Sequence, residues 1–369
     1  MRKIIASIVF IGCFYLLKIA VSDNSMKGIT EYRHQNSGFF SSSKLQYGDL
    51  FGICYLKDFK IKKVEHVDKP LNVDLLPRDL SLYMICDSYV FAPLEGKSDF
   101  FSRVKYLYIL KLKDSLWVIP PLDEKKKNVL VFEIVLRNLY YDMNLKAITS
   151  KSNFSNLSLT KNSPVYNKTG NYTPFNIFVF FRKLIGYLNQ KVSQTFFHKN
   201  IDSHLEIVIF DFDFLENLKI LKAEINMKIF NRVNETVVLS KDRKFLFLET
   251  TVVDNFKGSS AYPISNNEID EQVARINELN NFFKSKGFDQ VLFSVIPNPY
   301  DLVGSNEFGQ NNQLERIFAS NNLKANVLKI APKLRVNAKN NFFQSDTHWN
   351  SNGLTIWLSE INQYLKSVP

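Results

Sequence analysis

A helix that leads directly into a strand constrains the fold more than any other feature of this chain. The segment NNEIDEQVARINELNNFFKSKGF places apolar residues on one helical face, at Ile269, Val273, Ile276, Leu279 and Phe283. Gly287 follows as a C-terminal stop, and DQVLFSVIP then has the length and composition of a buried strand that ends at Pro297. A helix that feeds a short apolar strand is the repeating unit of doubly wound α/β folds.

Other segments fit the same architecture. Two alternating runs around a polar break, within Thr236–Val253, indicate a hairpin, and the last helix is predicted to begin near Asn352. Short apolar or β-branched runs predict further strands around Leu82, from Val104 and from Asn128. We therefore predict an α/β fold, a doubly wound sandwich with a mostly parallel central sheet. A stretch rich in Ser, Asn and Thr predicts an insertion around residues 149–205.

The first 22 residues predict export. Two cations precede an apolar stretch from Ile4 to Leu17, which is short for a membrane span of about 20 residues. Ala20-Val21-Ser22 suits a cleavage site. A cleaved secretion signal and an uncleaved anchor with its cations inside both fit this pattern. Either one places residues 23–369, predicted as one principal domain with its insertion, in the periplasm or elsewhere in the cell envelope.

Charge and cysteine content limit the partners. The net charge is +11, which suits nucleic acid, an acidic membrane surface or an acidic polysaccharide. The charge is spread along the chain and no nucleic-acid-binding motif occurs, so we do not expect a nucleic-acid partner. Of the three cysteines, Cys13 lies in the leader, and only Cys54 and Cys86 remain to form a disulfide.

A candidate nucleophile follows the strand around Leu82. In open parallel sheets the ligand lies at the C-terminal ends of the strands, and LYMICDSYVF places Asp87, Ser88 and Tyr89 at such an end. A serine in a tight strand-to-helix turn exposes its hydroxyl, and nearby backbone N–H groups can bind an oxyanion. Because a serine after a strand is common, Ser88 needs a partner before it indicates catalysis.

The partner is predicted near the C-terminus, in FFQSDTHWNSNG. Residues two apart in an extended segment face the same side, so Asp346 can accept a hydrogen bond from one imidazole nitrogen of His348 while the other points into the cleft. No HExxH motif or Cys/His cluster accompanies the pair, so no zinc site is predicted. The other histidines are scattered and read as surface or satisfied residues: His34, His66, His198 and His204.

Together the two blocks resemble the SGNH/GDSL hydrolases, and most closely their D-x-H-W branch, the family of the alginate O-acetylation proteins. DTHWNSNG matches the D-x-H-W-N-x-x-G signature of that branch, and CDSY is similar to its GDS-F/Y block. FEIVLRNL, with Glu133, Arg137 and Asn138, resembles its E-x-x-E-R-N/Y-L strand exit. VVLSKDRKFLFL and SVIPNP are similar to its hairpin and to its V-P-N/D-K strand. The resemblance covers scattered blocks from about residue 80 to residue 366 and implies an SGNH-like α/β fold.

The sequence departs from the family pattern in several places. Cys86 stands where the family has glycine, Leu136 replaces the second glutamate, and the hairpin lacks its Gly-Trp. The serine block precedes the D-x-H block, as in ordinary SGNH hydrolases, whereas the alginate-type proteins have the reverse order; this suggests a permuted relative. The similar stretch YGDLFG at Tyr47 is not expected to hold a nucleophile, because no serine follows its aspartate.

The resemblance implies an extracytoplasmic serine O-acetyltransferase that acts on a cell-envelope or exported polysaccharide. In this mechanism Ser88 attacks an acyl carbonyl, His348 takes its proton, and Asp346 orients the imidazole. The acceptor is then a glycan, and the acyl donor is delivered by a membrane-bound partner protein. No metal and no organic cofactor is implied. Two alternatives remain: a carbohydrate acetylesterase with the same residues, and a non-catalytic glycan-binding protein of the cell envelope.

Further site residues are expected around the triad. The backbone N–H of Ser88 is expected to donate to the oxyanion, with Arg137 or Asn138 as the side-chain donor. Tyr89 and Trp349 are expected to flank the cleft. Trp349 either stacks on a sugar face or packs in the core under the last helix.

Overall fold

The structure, a computed structural model, describes residues 2–22, 25–26, 28–29, 44–63, 67–70, 76–123, 125–154, 201–304 and 309–369. The helices are α1 (Arg2–Ala20), α2 (Phe51–Cys54), α3 (Phe91–Leu94), α4 (Leu136–Asp142), α5 (Leu145–Lys151), α6 (Ile201–Phe210), α7 (Asp213–Phe230), α8 (Asn266–Ser285), α9 (Pro299–Val303), α10 (Gln313–Ala319), α11 (Ala331–Arg335) and α12 (Ser351–Ser367). The strands are β1 (Leu80–Cys86), β2 (Val104–Lys111), β3 (Trp117–Ile119), β4 (Lys127–Val135), β5 (Ser152–Phe154), β6 (Val237–Leu239), β7 (Leu246–Leu248), β8 (Gln290–Ile296) and β9 (Asn326–Val327).

The chain divides into two compact units. One combines Met1–Leu45 with Leu159–Ile225, and the other combines Gln46–Ser158 with Asn226–Pro369. In the first unit α1 contacts α6, and Nδ1 of His204 forms a 2.6 Å hydrogen bond with the carbonyl of Ala20. Within the described ranges, no helix has both the length and the apolarity needed to cross a membrane. Most of the predicted insertion, residues 155–200, lies outside the described residues.

The second unit is built on a five-stranded parallel sheet with the strand order β2-β1-β4-β8-β9. Every residue of β1 is buried, and so is β4 after its first residue. Burial on both faces explains why these strands are near-continuous apolar runs rather than alternating ones. The strands predicted around Leu82, from Val104, from Asn128 and before Pro297 are confirmed as β1, β2, β4 and β8.

Helices cover both faces of this sheet. Successive residues of β1 and β4 point to opposite faces, so each strand contributes to two separate cores. One core packs Leu82, Met84, Val129 and Val131 against Leu354, Trp357, Leu358 and Ile361 of α12. The other packs Tyr83, Ile85, Leu130 and Phe132 against Ile269, Val273, Ile276, Leu279 and Phe283 of α8. The predicted α/β class, with a central parallel sheet in a doubly wound sandwich, is confirmed.

Local sequence features set the ends of these elements. Ser265 and Glu268 form a capping box at the start of α8, and Gly287 follows the helix with a φ of +99°. The predicted hairpin is confirmed as the antiparallel pair β6–β7. Cys54 and Cys86 are both buried and both free, so the structure contains no disulfide between them.

Asp301, in the first turn of α9, should make the stability of the fold decrease as the pH rises. Burial raises the pKa of its carboxyl from 3.8 to about 7, although its Oδ2 accepts the backbone N–H of Asn298. The folded chain therefore keeps this proton between those two values while the unfolded chain releases it, so the free energy of unfolding falls through that window. We expect Asp301→Asn to be more stable than the wild type at pH 8.5 by about 2–4 kcal/mol, at about 1.4 kcal/mol per pKa unit. Urea unfolding at pH 5 and pH 8.5 measures this, and parallel pH profiles of the two proteins would contradict it.

Candidate active site

The turn after β1 presents Ser88 at the C-terminal edge of the sheet. The Asp87 carboxylate holds this turn: its Oδ1 accepts the N–H of Tyr89 and its Oδ2 accepts the N–H of Val135, each at 2.9 Å. The Asp87 carbonyl accepts the N–H of Phe91, which begins α3. Asp87 is buried whereas Ser88 is exposed. The serine hydroxyl therefore projects from a turn whose backbone is fixed on both sides.

Ser88, His348 and Asp346 form one hydrogen-bonded line. The Ser88 Oγ lies 2.8 Å from Nε2 of His348, and Nδ1 of His348 lies 2.5 Å from Oδ1 of Asp346. Burial alone would raise the pKa of Asp346, but the hydrogen bond and charge of His348 and the charge of Lys63 outweigh it and hold that pKa well below its usual range. An ionised carboxylate at Nδ1 assigns the ring proton to that nitrogen and leaves the Nε2 lone pair facing the serine hydroxyl.

Two further hydrogen bonds join the serine turn to the histidine turn. The Tyr89 hydroxyl donates to the carbonyl of Thr347, and Nε1 of Trp349 donates to the carbonyl of Tyr89 at 3.1 Å. Burial raises the pKa of Tyr89, so its phenol keeps the proton that it donates. The rings of Tyr89 and His348 are 4.6 Å apart. These contacts fix the distance between Ser88 and His348 through main-chain partners, independently of the bond between the two side chains.

A pocket of about 230 Å³ opens beside the serine and the histidine. Its mostly apolar wall includes Lys63, Val67, Ala92, Pro93, Phe343 and Leu354. Tyr89 and Trp349 line it as predicted, but they are only 1% and 3% exposed. Trp349 packs edge-to-face on Tyr89 and lies 6.2 Å from the ring of Trp357. Of its two predicted roles, the structure favours core packing under α12, because no open ring face is left for a sugar.

The expected side-chain donors to an oxyanion need correction. Neither Arg137 nor Asn138 is among the described residues that line the pocket. Arg137 lies behind Tyr89: its Nη1 donates to the tyrosine hydroxyl at 3.3 Å, and its guanidinium is 5.6 Å from the centre of the ring. It therefore supports the ring that joins the two turns. The backbone N–H of Ser88 makes no hydrogen bond within the described ranges, so its predicted role as an oxyanion donor stays a prediction.

Glu133 is a functional candidate that the sequence analysis placed only in the FEIVLRNL motif, without a role of its own. It is fully buried in β4, and its Oε2 accepts the N–H of Asp87 at 3.0 Å. Burial, together with the charge of Asp87, raises the pKa of Glu133 well above its usual range, which favours the protonated carboxyl beneath the nucleophile turn. A glutamate in the middle of an otherwise apolar strand was the signal for such a role.

The segment around Asp49 lies against the histidine turn. It was not expected to belong to the site, because no serine follows its aspartate. The N–H of Asp49 and Nζ of Lys63 each lie 3.0 Å from Oδ2 of Asp346. The carbonyl of Ser345 accepts the N–H groups of Leu50 and Phe51 at 3.1 Å. No local sequence pattern predicts these contacts, because they join residues about 300 positions apart in the chain.

The same cluster contains the donor atoms that a metal ion would use. Asp49, Asp346 and His348 each offer one ligand atom, and these atoms lie within 4.8 Å of one another. The ammonium of Lys63 already lies at Oδ2 of Asp346, and Nδ1 of His348 is hydrogen-bonded to Oδ1. A cation would have to displace the ammonium and break the line to Ser88, so the cluster fits a hydrogen-bonded base better than a metal centre.

Comparisons of the chain with protein-family models, with curated proteins and with solved structures found no match.

Proposed function

We propose that this chain is an extracytoplasmic serine O-acyltransferase that acts on a glycan. The observation that carries the proposal is the line from Ser88 Oγ to His348 Nε2 at 2.8 Å and from His348 Nδ1 to Asp346 Oδ1 at 2.5 Å, beside a pocket at the C-terminal edge of a parallel sheet. Such a line, with a buried carboxylate and an exposed hydroxyl, is the arrangement that activates a serine towards acyl groups.

The chemistry proceeds in two balanced steps. Ser88 Oγ bonds to the acyl carbon as its proton passes to Nε2 of His348, and that proton then leaves with the departing oxygen of the donor. In the second step an acceptor hydroxyl gives its proton to Nε2 and takes the acyl group, while the serine regains its proton from His348. Asp346 remains ionised throughout and stabilises the imidazolium that forms in each step.

Two backbone groups that carry partial positive charge belong to residues lining the pocket. The N–H of Ser88 has no partner within the described ranges, and α12 begins at Ser351, which lines the pocket. The first turn of a helix carries partial positive charge and favours anions. These features support acyl chemistry, in which the carbonyl oxygen gains charge in the transition state.

Three parts of the proposal rest on the D-x-H-W resemblance and on the N-terminal leader: the glycan acceptor, the acetyl group and the membrane-bound acyl donor. An acetylesterase is the second candidate. It is favoured by the exposure of Ser88, since water that reaches the acyl-enzyme gives hydrolysis instead of transfer. A serine beyond hydrogen-bond reach of the histidine would favour a non-catalytic binding protein. The 2.8 Å between Ser88 Oγ and His348 Nε2 is within that reach and does not favour it.

Labelling with a fluorophosphonate probe tests for an activated serine. We expect the full chain to be labelled at Ser88, no labelling in Ser88→Ala, and labelling slower by at least about 10³-fold in His348→Ala. Ser367→Ala, at an exposed serine near the end of α12, is the matched control and should label like the wild type. A wild-type chain that is folded by circular dichroism and yet stays unlabelled would exclude the proposed mechanism.

The fate of the acyl group separates transfer from hydrolysis. With p-nitrophenyl acetate as donor, a transferase should move acetate to an added oligosaccharide, and the acetylated sugar should be detected by mass spectrometry. An esterase should release acetate at the same rate with and without the sugar. Ser88→Ala should abolish either product.

A further inference from the structure

We propose that Asp49 is a positioning residue for the base, a second carboxylate that acts on His348 through the hydroxyl of Thr347. The inference rests on the proposed function, since it assigns a role in preparing His348 to accept the proton of Ser88. Asp49 belongs to a segment that precedes every strand of the sheet in the chain.

Asp49 is bound to the histidine turn by both of its oxygens. Its Oδ1 accepts the N–H of Thr347 at 2.8 Å, and its Oδ2 accepts the Thr347 hydroxyl at 2.6 Å. The same Oδ2 lies 4.0 Å from Nδ1 of His348. The N–H of Asp49 in turn donates to Asp346, so one residue contacts both the orienting carboxylate and its neighbour. Burial, and then the charge of Asp346, raise the pKa of Asp49, while the bonds from Thr347 oppose that rise.

The directions of these hydrogen bonds determine which groups face Nδ1 of His348. A carboxylate can only accept, so the single hydroxyl proton of Thr347 is committed to Asp49. The Thr347 Oγ1 then presents only lone pairs to Nδ1 of His348, which lies 3.3 Å away. The ring proton on Nδ1 thus faces two acceptors, Oδ1 of Asp346 and Oγ1 of Thr347. The tautomer that keeps the Nε2 lone pair directed at Ser88 is favoured.

Asparagine at position 49 should reverse this arrangement. The N–H of Thr347 can only donate, so the amide oxygen of the new side chain should stay on that group. The amide NH₂ then faces Oγ1 of Thr347 and makes it an acceptor. The hydroxyl proton is released from its bond to residue 49, and Nδ1 of His348 is within its reach. That proton then repels the Nδ1 proton of His348, which Oδ1 of Asp346 holds at 2.5 Å. The share of imidazole with its proton on Nε2 increases, and a ring in that tautomer cannot accept the proton of Ser88.

A double-mutant cycle distinguishes this role from a merely structural one. We expect Asp49→Asn to slow fluorophosphonate labelling about 10- to 100-fold. In a Thr347→Val background, where no hydroxyl is left to reorient, the same change should slow labelling by less than about threefold. Thr347→Ser restores the hydroxyl and should label like the wild type. Asp289→Asn is the matched control, because Asp289 also accepts a backbone N–H, from Asn128 at 2.7 Å, at the opposite edge of the sheet.

The tautomer of His348 gives a readout that does not depend on activity. Nitrogen-15 NMR of the imidazole at alkaline pH, assigned by difference from His348→Gln, should show the proton on Nδ1 in the wild type and a larger fraction of the Nε2-protonated ring in Asp49→Asn. Thr347→Val should remove that difference. An unchanged tautomer, or an equal cost of Asp49→Asn in both backgrounds, would overturn the role of Asp49. A tautomer shift between the wild type and Asp49→Asn, in a wild type that is not labelled, would overturn the proposed function but not the effect of Asp49 on the tautomer of His348.

Discussion

Replacing Asp346 by asparagine should slow the reaction of Ser88 by about 10³- to 10⁴-fold while the protein stays folded. Each oxygen of this carboxylate accepts from two donors. Oδ1 accepts the backbone N–H and the Nδ1 proton of His348, at 3.0 and 2.5 Å. Oδ2 accepts the N–H of Asp49 and the ammonium of Lys63, both at 3.0 Å. An amide has one oxygen and one NH₂ group, so it can serve only one of these two sides.

The choice between the two orientations decides the outcome. An NH₂ group on the Oδ2 side would face an N–H and an ammonium, neither of which can accept. On the Oδ1 side it faces one backbone N–H and an imidazole nitrogen that becomes an acceptor when the ring changes tautomer. The second orientation has the smaller conflict, and it leaves Nε2 protonated. His348 then cannot accept the Ser88 proton, although every heavy atom keeps its place.

Labelling rates and urea midpoints measure the two parts of this prediction. Asp242→Asn is the control, because Asp242 also pairs with a lysine, Lys339, but does so on the surface, and neither residue lines the pocket. It should leave the labelling rate within about threefold of the wild type, as expected for an exposed pair. An Asp346→Asn protein that labels within tenfold of the wild type would show that the carboxylate does not set the tautomer.

The strands and the Ser–His–Asp line could be predicted from sequence because each rests on a local pattern. Burial on both faces gives β1 and β4 their apolar runs, and Asp346 and His348 are only two residues apart. Ser88 could be joined to them because parallel strands bring their C-terminal ends to one edge of a sheet. The long-range pairing of Ser88 with His348 was a prediction about space, and the structure brings the two side chains into hydrogen-bond contact.

What the sequence could not supply is the direction of side chains beyond a strand end. Arg137 and Asn138 follow β4 as predicted, but α4 begins at Leu136, and its helical turn places Arg137 behind Tyr89. Asp49 and Lys63 were missed for a different reason. Their contacts with Asp346 depend on how a segment outside the sheet packs against the histidine turn. No periodicity in the sequence predicts that packing.

Alanine in place of Gly48 should separate that segment from the histidine turn and cost about 3 kcal/mol or more. Gly48 has a φ of +105°, a conformation that L side chains rarely adopt, and a Cβ there would lie 2.2 Å from the carbonyl oxygen of Ser345. That oxygen is the acceptor for Leu50 and Phe51. The added methyl group can fit only if the backbone of one segment moves, which breaks these bonds and withdraws Asp49 from Thr347.

Gly96→Ala supplies the matched control for this change. Gly96 also has a positive φ, +77°, but a Cβ there would meet nothing within 4 Å. It should cost only the left-handed strain of about 1–2 kcal/mol and leave labelling of Ser88 unchanged. Gly48→Ala should add the cost of the close contact and slow labelling at least as much as Asp49→Asn does, because it removes the same carboxylate from the histidine turn. Equal urea midpoints and equal labelling rates for the two alanine variants would mean that the Tyr47–Phe51 segment does not hold His348 in place.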